Sequence, residues 1–229
     1  MNETLPHFDG VEAILFDLDG TLVETDNRWA RILAERLRPM QRFLPRLNVE
    51  ALARRIVMAI ETPSNYAIST LEHLGLGHLF LGLADRIRRS KGLATREASE
   101  PVEGSEELIQ ALKGRYKLAV VTTRARPEAL ALLGHLGLSA HFEALVTRQD
   151  VWRMKPHPEP VYKAARLLGV LPSRCLMVGD TRMDIRSARR AGAYAVGVLS
   201  GFGERGELER AGAHLILDRA ASLLGYLSR

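Results

Sequence analysis

The chain has 229 residues, of which 46% are hydrophobic and 26% are charged, with a formal net charge of +5 and a pI of about 9.6. This composition is typical of a globular protein with one or two domains, and it excludes a low-complexity chain. The basic residues form no run of five or more, so the net charge does not indicate a nucleic-acid surface. No apolar stretch approaches the roughly 18 residues of a membrane span, and we expect a cytoplasmic protein without a membrane segment.

The chain contains a single cysteine, Cys175, so no disulfide can form within the chain. This cysteine precedes the apolar run at residues 176–178, which predicts a buried thiol that takes no part in chemistry. The lack of disulfides is typical of proteins in a reducing compartment such as the cytosol.

The first predicted strand is the apolar run at residues 13–16, which ends at Asp17. From about residue 26 the pattern is helical, with apolar residues three and four positions apart, and Pro39 is expected to end or kink this helix. Further helices are predicted at 49–60, 64–74 and 79–90. Since no strand pattern interrupts residues 25–96, we predict an inserted, all-helical cap domain there.

After a polar linker, strands and helices alternate to the end of the chain. Helices are predicted at 105–113, 127–136, 158–168, 184–191 and 220–227, and strands at 117–123, 144–147, 176–180, 195–199 and 214–217. This alternation predicts an α/β fold, with a Rossmann-like parallel sheet covered by helices on both faces. We therefore assign residues 1–24 and 97–229 to the core domain, and residues 25–96 to the cap domain.

Two carboxylates, Asp17 and Asp19, follow the first strand directly and are separated by one residue. Gly20 comes next and is expected to bend the chain toward a ligand. Two acids at the end of a buried strand are typical of a metal site, of a nucleophile with an acid–base partner, or of both. Alternatively, Asp19 or Thr21 caps the next helix. The spacing alone favours neither interpretation.

Further polar groups follow the other predicted strands. Thr122 and Thr123 end the second strand, Lys155 follows the third through a loop, and Asp180 ends the fourth. Parallel sheets bind their ligands beyond the carboxyl ends of their strands. These residues and the two acids after the first strand are therefore expected to form one site.

In this order, the residues resemble the motifs of the haloacid dehalogenase superfamily, in its subgroup with a helical cap. Residues 17–21 (DLDGT) resemble its first motif, Thr122 its second, Lys155-Pro156 its third and residues 179–184 (GDTRMD) its fourth. The resemblance covers nearly the whole chain and is greatest for phosphoglycolate phosphatase-like members. It implies the α/β core and helical cap predicted above.

The resemblance also implies a Mg²⁺-dependent phosphatase. Asp17 would attack phosphorus and form an aspartyl-phosphate intermediate. Asp19 would protonate the leaving oxygen and then take a proton from water. At the metal site, Asp17 and Asp180 would hold Mg²⁺ together with the backbone carbonyl of Asp19, and Asp184 would orient a water bound to the metal.

The resemblance further implies groups that bind the substrate. Thr122 and the backbone N–H of Thr123 would bind the phosphoryl oxygens, and Lys155 would neutralise their charge. Three arginines are candidates for contacts with the rest of the substrate: Arg28, Arg124 and Arg126. A small phosphorylated metabolite is the expected partner, and neither nucleic acid nor a membrane is expected. We expect a monomer or a homodimer.

Two positions depart from the family pattern. Thr123-Arg124 stand where Asn or Ser is common after the second motif, and Met154 stands where Gly is common before the third. Both departures alter the rim of the pocket, so several substrates remain open. Phosphoglycolate is the first expectation, a sugar-phosphate mutase or a pyrophosphatase is the nearest alternative, and a non-catalytic binding protein is the alternative of a different class.

Overall fold

The computed structural model describes residues 8–24, 28–42, 48–50, 52–53, 56 and 100–227. The chain divides into two compact units, one formed by residues 1–24 and 96–229 and the other by residues 25–95. We propose that the larger unit is the core domain and the smaller unit the cap domain.

In the smaller unit, the described residues form a first helix, α1 (Arg28–Leu37), which is followed by a 3-10 turn (Arg38–Arg42). The α-helix ends two residues before Pro39, which confirms the predicted effect of this proline, since proline lacks the N–H that continues a helix. Residues 49–50, 52–53 and 56 are also helical. The helices predicted at 64–74 and 79–90 lie outside the described residues.

The larger unit is built on one six-stranded sheet, in the order β3-β2-β1-β4-β5-β6. Every pair of neighbouring strands is parallel, so the predicted Rossmann-like sheet is confirmed. The strands are β1 (Ala13–Phe16), β2 (Lys117–Val121), β3 (Ala144–Val146), β4 (Cys175–Gly179), β5 (Tyr194–Val198) and β6 (Leu215–Leu217).

Helices connect and flank these strands. They are α2 (Ser105–Leu112), α3 (Arg126–His135), α4 (Glu159–Leu168), α5 (Arg182–Ala191), α6 (Arg205–Ala211) and α7 (Leu224–Leu227), with 3-10 turns at Ser139–His141, Pro172–Arg174 and Ala220–Leu223. Within the described parts of the chain, none of the helices combines the length and hydrophobicity needed to cross a bilayer.

The central strand β1 shows how the core forms. Its side chains alternate between the two faces of the sheet, yet Ile14 and Leu15 are both fully buried. Helices therefore cover both faces, as expected for a parallel sheet whose strands read as continuous apolar runs. Leu118 on β2 and Leu176 on β4 are the register partners of Ile14 and extend the same buried layer.

Two elements differ from the prediction. Helix α6 was not predicted, because glycines at 201, 203, 206 and 212 give its surroundings the composition of a loop. The single helix predicted at 220–227 is a 3-10 turn followed by a short α-helix. The other α-helices and the strands of the larger unit begin and end within two residues of the predicted positions.

Candidate active site

The carboxyl ends of three adjacent strands place the candidate residues side by side. Asp17 follows β1, Thr122 follows β2 and Asp180 follows β4, and β1 lies between the other two strands. The Asp17 N–H donates to the carbonyl of Val178 over 2.9 Å, which keeps Asp17 in line with its neighbour strand. The sheet thus brings together residues that are up to 163 positions apart in sequence.

Lys155 lies at the centre of this group and is only 6% exposed. Its Nζ lies 2.9 Å from Oδ1 of Asp17 and donates to Oδ1 of Asp184 over 2.5 Å and to the carbonyl of Val121 over 3.0 Å. Burial opposes the charged form, but the two carboxylates outweigh it and raise the pKa of Lys155. The three donors of this ammonium therefore have three acceptors.

The carboxylates of Asp17, Asp180 and Asp184 form a buried cluster in which one oxygen from each lies within 4.8 Å of the others. Burial raises the pKa of Asp17 to about 7, against the lowering effect of Lys155. Burial, together with the charges of Asp17 and Asp184, also raises the pKa of Asp180 well above its usual value. Buried like charges at this spacing favour proton uptake or binding of a cation.

The Oδ1 atom of Asp180 is buried and has no hydrogen-bond partner in the structure. An unsatisfied buried carboxylate oxygen is costly, and a cation would satisfy it. All three carboxylates offer hard oxygen ligands, which suit Mg²⁺ better than a soft metal. The residues present therefore fit the predicted magnesium site.

Asp184 is fixed by the beginning of α5. Its Oδ2 accepts hydrogen bonds from the N–H of Thr181 over 3.0 Å and from its Oγ1 over 2.5 Å. This arrangement caps the helix and leaves Oδ1 directed at Lys155. A Cβ at Gly179 would lie 2.3 Å from the Cβ of Asp184, so the fourth motif needs glycine there.

A loop after β5 contacts the cluster, and no sequence motif predicts this contact. The N–H of Phe202 donates to Oδ2 of Asp180 over 2.8 Å, and Oγ of Ser200 donates to the carbonyl of Gly20 over 2.7 Å. A Cβ at Gly201 would lie 2.0 Å from Oδ2 of Asp180. Residues 199–203 include no charged side chain that would indicate a functional site. The only sign of this contact in the sequence is the pair of glycines after the strand, which allow the backbone to approach another group closely.

Asp19 lies outside the buried cluster and pairs with Arg124. Nε of Arg124 donates to Oδ1 and Oδ2 of Asp19 over 3.0 and 2.8 Å, and Nη2 donates to Oδ1 over 2.5 Å. Gly20 has a φ of 75°, which confirms the predicted bend after Asp19. Residues 19–23 form a turn without a helix, so the alternative that Asp19 or Thr21 caps the next helix is wrong.

The second-motif residues lie at the edge of the cluster. Thr122 is buried, and its Oγ1 accepts a hydrogen bond from the N–H of Arg124 over 3.1 Å, whereas Thr123 is half-buried. The guanidinium of Arg126 donates to both carboxylate oxygens of Asp150 over 2.8 Å and to the carbonyl of Leu145 over 3.0 Å. These contacts hold Arg126 against β3 and do not favour the predicted substrate contact.

Cys175 lies away from this group. Cys175 is buried at the amino end of β4, opposite the site, and burial raises the pKa of its thiol to about 11. The prediction of a buried thiol is therefore confirmed, and so high a pKa leaves almost no reactive thiolate at neutral pH. Arg28 begins α1, but its side chain lies outside the described residues.

A comparison with known protein families identifies the family of this chain. The family model described as haloacid dehalogenase-like hydrolase matches residues 14–198, from the first strand to the fifth. The chain belongs to the haloacid dehalogenase-like hydrolases. This confirms the predicted family and, with the first relative described below, the prediction of an enzyme of the phosphatase type.

This hydrolase is similar to other proteins over nearly its whole length. Pyrophosphatase PpaX from Bacillus cereus is 32% identical over 220 residues, which are 95% of this chain and 97% of that protein. The crystal structure of a hydrolase from Pseudomonas syringae shares 28% identity and a TM-score of 0.65, covering 95% of this chain and 98% of that chain. A structure described as a predicted phosphoglycolate phosphatase from Haemophilus somnus shares 22% identity and a TM-score of 0.63, with coverages of 94% and 97%. The last similarity shows the fold alone.

Proposed function

We propose that this hydrolase removes the phosphoryl group of a small phosphorylated metabolite through an aspartyl-phosphate intermediate on Asp17. The observation that carries the proposal is the buried group of three carboxylates with the Lys155 ammonium bonded to two of them. Burying several charges together costs free energy of folding, so such a cluster is not expected in a protein that has no catalytic or binding site. The chain has the expected residue at each position that the family pattern assigns to the nucleophile, the acid–base group, the lysine and the acidic fourth motif.

The proposed cofactor is Mg²⁺, held by Asp17, Asp180 and Asp184 together with the backbone carbonyl of Asp19. The unsatisfied Oδ1 of Asp180 and the oxygen-only ligand set support this assignment. When bound, the cation supplies positive charge that lets a carboxylate approach an anionic phosphoryl group and that stabilises the transferring oxygens.

In the proposed first step, a carboxylate oxygen of Asp17 attacks phosphorus as the bond from phosphorus to the leaving oxygen breaks. Asp19 donates its proton to that leaving oxygen. Lys155, 2.9 Å from Oδ1 of Asp17, holds the nucleophile in place and favours its ionised form. Thr122 and the N–H of Thr123 are proposed to bind the transferring oxygens.

In the proposed second step, water attacks the phosphorus of the aspartyl phosphate. Asp19, now a carboxylate, takes a proton from this water as the bond between phosphorus and Asp17 breaks. Inorganic phosphate leaves, and both aspartates return to their starting forms. One carboxylate thus serves as acid and base in turn, which requires it to stay in one orientation.

Two substrates are proposed for separate reasons. Phosphoglycolate is the substrate predicted from the resemblance in sequence. Inorganic pyrophosphate is the second candidate, because the relative that is 32% identical along nearly the full chain is named a pyrophosphatase. Both are small anions, which suits a chain with a net charge of +5.

A substrate panel tests the proposed function. Phosphate release would be measured from phosphoglycolate, hexose phosphates, nucleoside monophosphates and pyrophosphate, each with Mg²⁺ and with EDTA. Release that depends on Mg²⁺ and favours one compound supports the proposal and identifies the substrate. Isomerisation of a sugar phosphate without net release would replace the phosphatase by a mutase, and inactivity in both assays would favour a binding protein.

Mg²⁺ is expected to raise the Tm of EDTA-treated protein, and to raise it more at about pH 8 than at about pH 5.5. The folded-state pKa of Asp17, about 7, exceeds its usual value of 3.8, so folding takes up protons between these values. Stability of the metal-free protein therefore falls as the pH rises from 3.8 to about 7. At about pH 5.5, Mg²⁺ must compete with the proton on Asp17, so its effect on the Tm is smaller there. Thermal unfolding at both pH values would measure this difference.

Asp180→Asn serves as the control for this measurement, since it removes a proposed ligand and should abolish most of the Mg²⁺ shift. Na⁺ at the same ionic strength should not reproduce the shift, because a monovalent ion cannot neutralise the cluster to the same extent. Equal shifts at both pH values, or none, would contradict the proposed metal site.

Gly201→Ala is expected to raise the Mg²⁺ concentration for half-maximal effect by about tenfold or more, the usual loss when a group supporting a metal ligand is disturbed. The new Cβ would lie 2.0 Å from Oδ2 of Asp180 and would displace this carboxylate. Titration of Tm and of activity with Mg²⁺ would measure the change. Gly134→Ala is the matched control, because its Cβ would meet only Oγ of Ser139, at 3.9 Å. Unchanged Mg²⁺ dependence in Gly201→Ala would show that the loop does not position Asp180.

A further inference from the structure

Arg124 forms an ion pair with Asp19 that the reaction described above does not use. Its Nε contacts both carboxylate oxygens, at 3.0 and 2.8 Å, and its Nη2 contacts Oδ1 at 2.5 Å. Contacts from two nitrogens to one carboxylate fix its plane as well as its position. A lysine at this place would offer one point charge and could not do the same.

The backbone of Arg124 is itself held at the end of β2. Its N–H donates to Oγ1 of Thr122 over 3.1 Å, and its carbonyl accepts a hydrogen bond from the N–H of Arg148 over 3.4 Å. Besides Asp19, Glu128 and Asp17 are near enough to favour the charged guanidinium, and of these three acidic groups only Asp19 is bonded to it. The arginine therefore links Asp19 to the segments that follow β2 and β3.

We propose that Arg124 is a positioning residue that holds the Asp19 carboxyl group in the orientation needed for proton transfer with the leaving oxygen and with water. This inference rests on the proposed function, in which Asp19 is the acid–base group. Asp19 lies in a turn and its side chain is 31% exposed, so packing alone does not fix its rotamer. Misplacement of a catalytic group by about 1 Å is enough to lower a rate by orders of magnitude.

The dependence of the rate on the leaving group distinguishes this role from others. A p-nitrophenolate ion leaves without a proton, whereas an alkoxide needs one as its bond to phosphorus breaks. Misorientation of Asp19 should therefore slow the cleavage of alkyl phosphates and affect p-nitrophenyl phosphate little. The ratio kcat/KM reports the step in which the leaving group departs, so it is the quantity to compare.

The experiment compares kcat/KM for ethyl phosphate and p-nitrophenyl phosphate in Arg124→Gln, Arg124→Lys and the wild type. Arg124→Gln is expected to lower the value for ethyl phosphate by about 10- to 100-fold, and that for p-nitrophenyl phosphate by less than about threefold. Arg124→Lys should restore only part of the loss. Arg174→Gln is the matched control, because this arginine pairs with Glu12 at the opposite, amino-terminal ends of the strands.

Other results would overturn the proposal. Equal losses with both esters would show a structural role, and a gain with ethyl phosphate would show that the pair restrains Asp19. A loss of kcat/KM with phosphoglycolate, which has a second anionic group, but with neither of these two esters would make Arg124 a substrate contact. Leaving-group dependence in Asp19→Asn but not in Arg124→Gln would reject the positioning role and leave the proposed function standing. No hydrolysis of any phosphate by the wild type would overturn both.

Discussion

Replacement of Asp17 by asparagine is expected to lower turnover by roughly 10⁴-fold or more, because the amide cannot form the covalent intermediate. The fold should be retained. Burial raises the pKa of Asp17 to about 7, so the ionised carboxylate destabilises the metal-free protein above that pH, and a neutral amide of the same shape removes this cost. Steady-state turnover and thermal unfolding at about pH 8 in EDTA would measure the two effects.

Asp218→Asn is the matched control for this variant, because Asp218 also follows a strand, β6, but is exposed at the edge of the sheet. Its turnover should equal that of the wild type. Near-normal turnover of Asp17→Asn in a preparation free of wild-type enzyme would reject the covalent mechanism. Loss of folding in that variant would instead show that the carboxylate is needed for stability.

Lys155→Met is expected to lower both activity and stability. The variant leaves Asp17 and Asp184 buried without the ammonium that contacts them at 2.9 and 2.5 Å. Removal of one partner from a buried ion pair costs about 3–5 kcal/mol of unfolding free energy, and loss of one group that stabilises a transition-state charge costs about 10²- to 10³-fold in kcat. Denaturant unfolding in EDTA and steady-state kinetics would measure these losses.

The stability lost in Lys155→Met should be larger at about pH 8 than at about pH 5. Without the lysine, the folded-state pKa of Asp17 rises further above its unfolded value, so the folded protein binds more protons and is destabilised as the pH rises. Lys113→Met, at the exposed end of α2, is the control and should change neither quantity appreciably. A stability loss that is independent of pH would show that the lysine acts through packing.

Most of the core fold could be predicted from the sequence. Apolar runs such as residues 13–16, bounded by turn residues, are local signals of buried strands, and their alternation with helical patterns leads to a parallel sheet. The ends of those strands then place Asp17, Thr122 and Asp180 at one edge. Helix α6 is not predicted from the sequence, because the glycines in and around it lower the helix propensity of that stretch. Burial of Leu208 in the folded domain stabilises this helix.

For the larger unit, the sequence by itself determined the order of the strands and of the helices other than α6, the family motifs and the residues at the strand ends, because each is encoded within a few neighbouring positions. Only the tertiary structure decided which side chains meet. Arg124 and Asp19 are 105 positions apart, and Phe202 and Asp180 are 22 apart, and no local pattern couples either pair. Their contacts depend on the paths of loops over the sheet edge and on side-chain rotamers, which are set by packing of the whole domain.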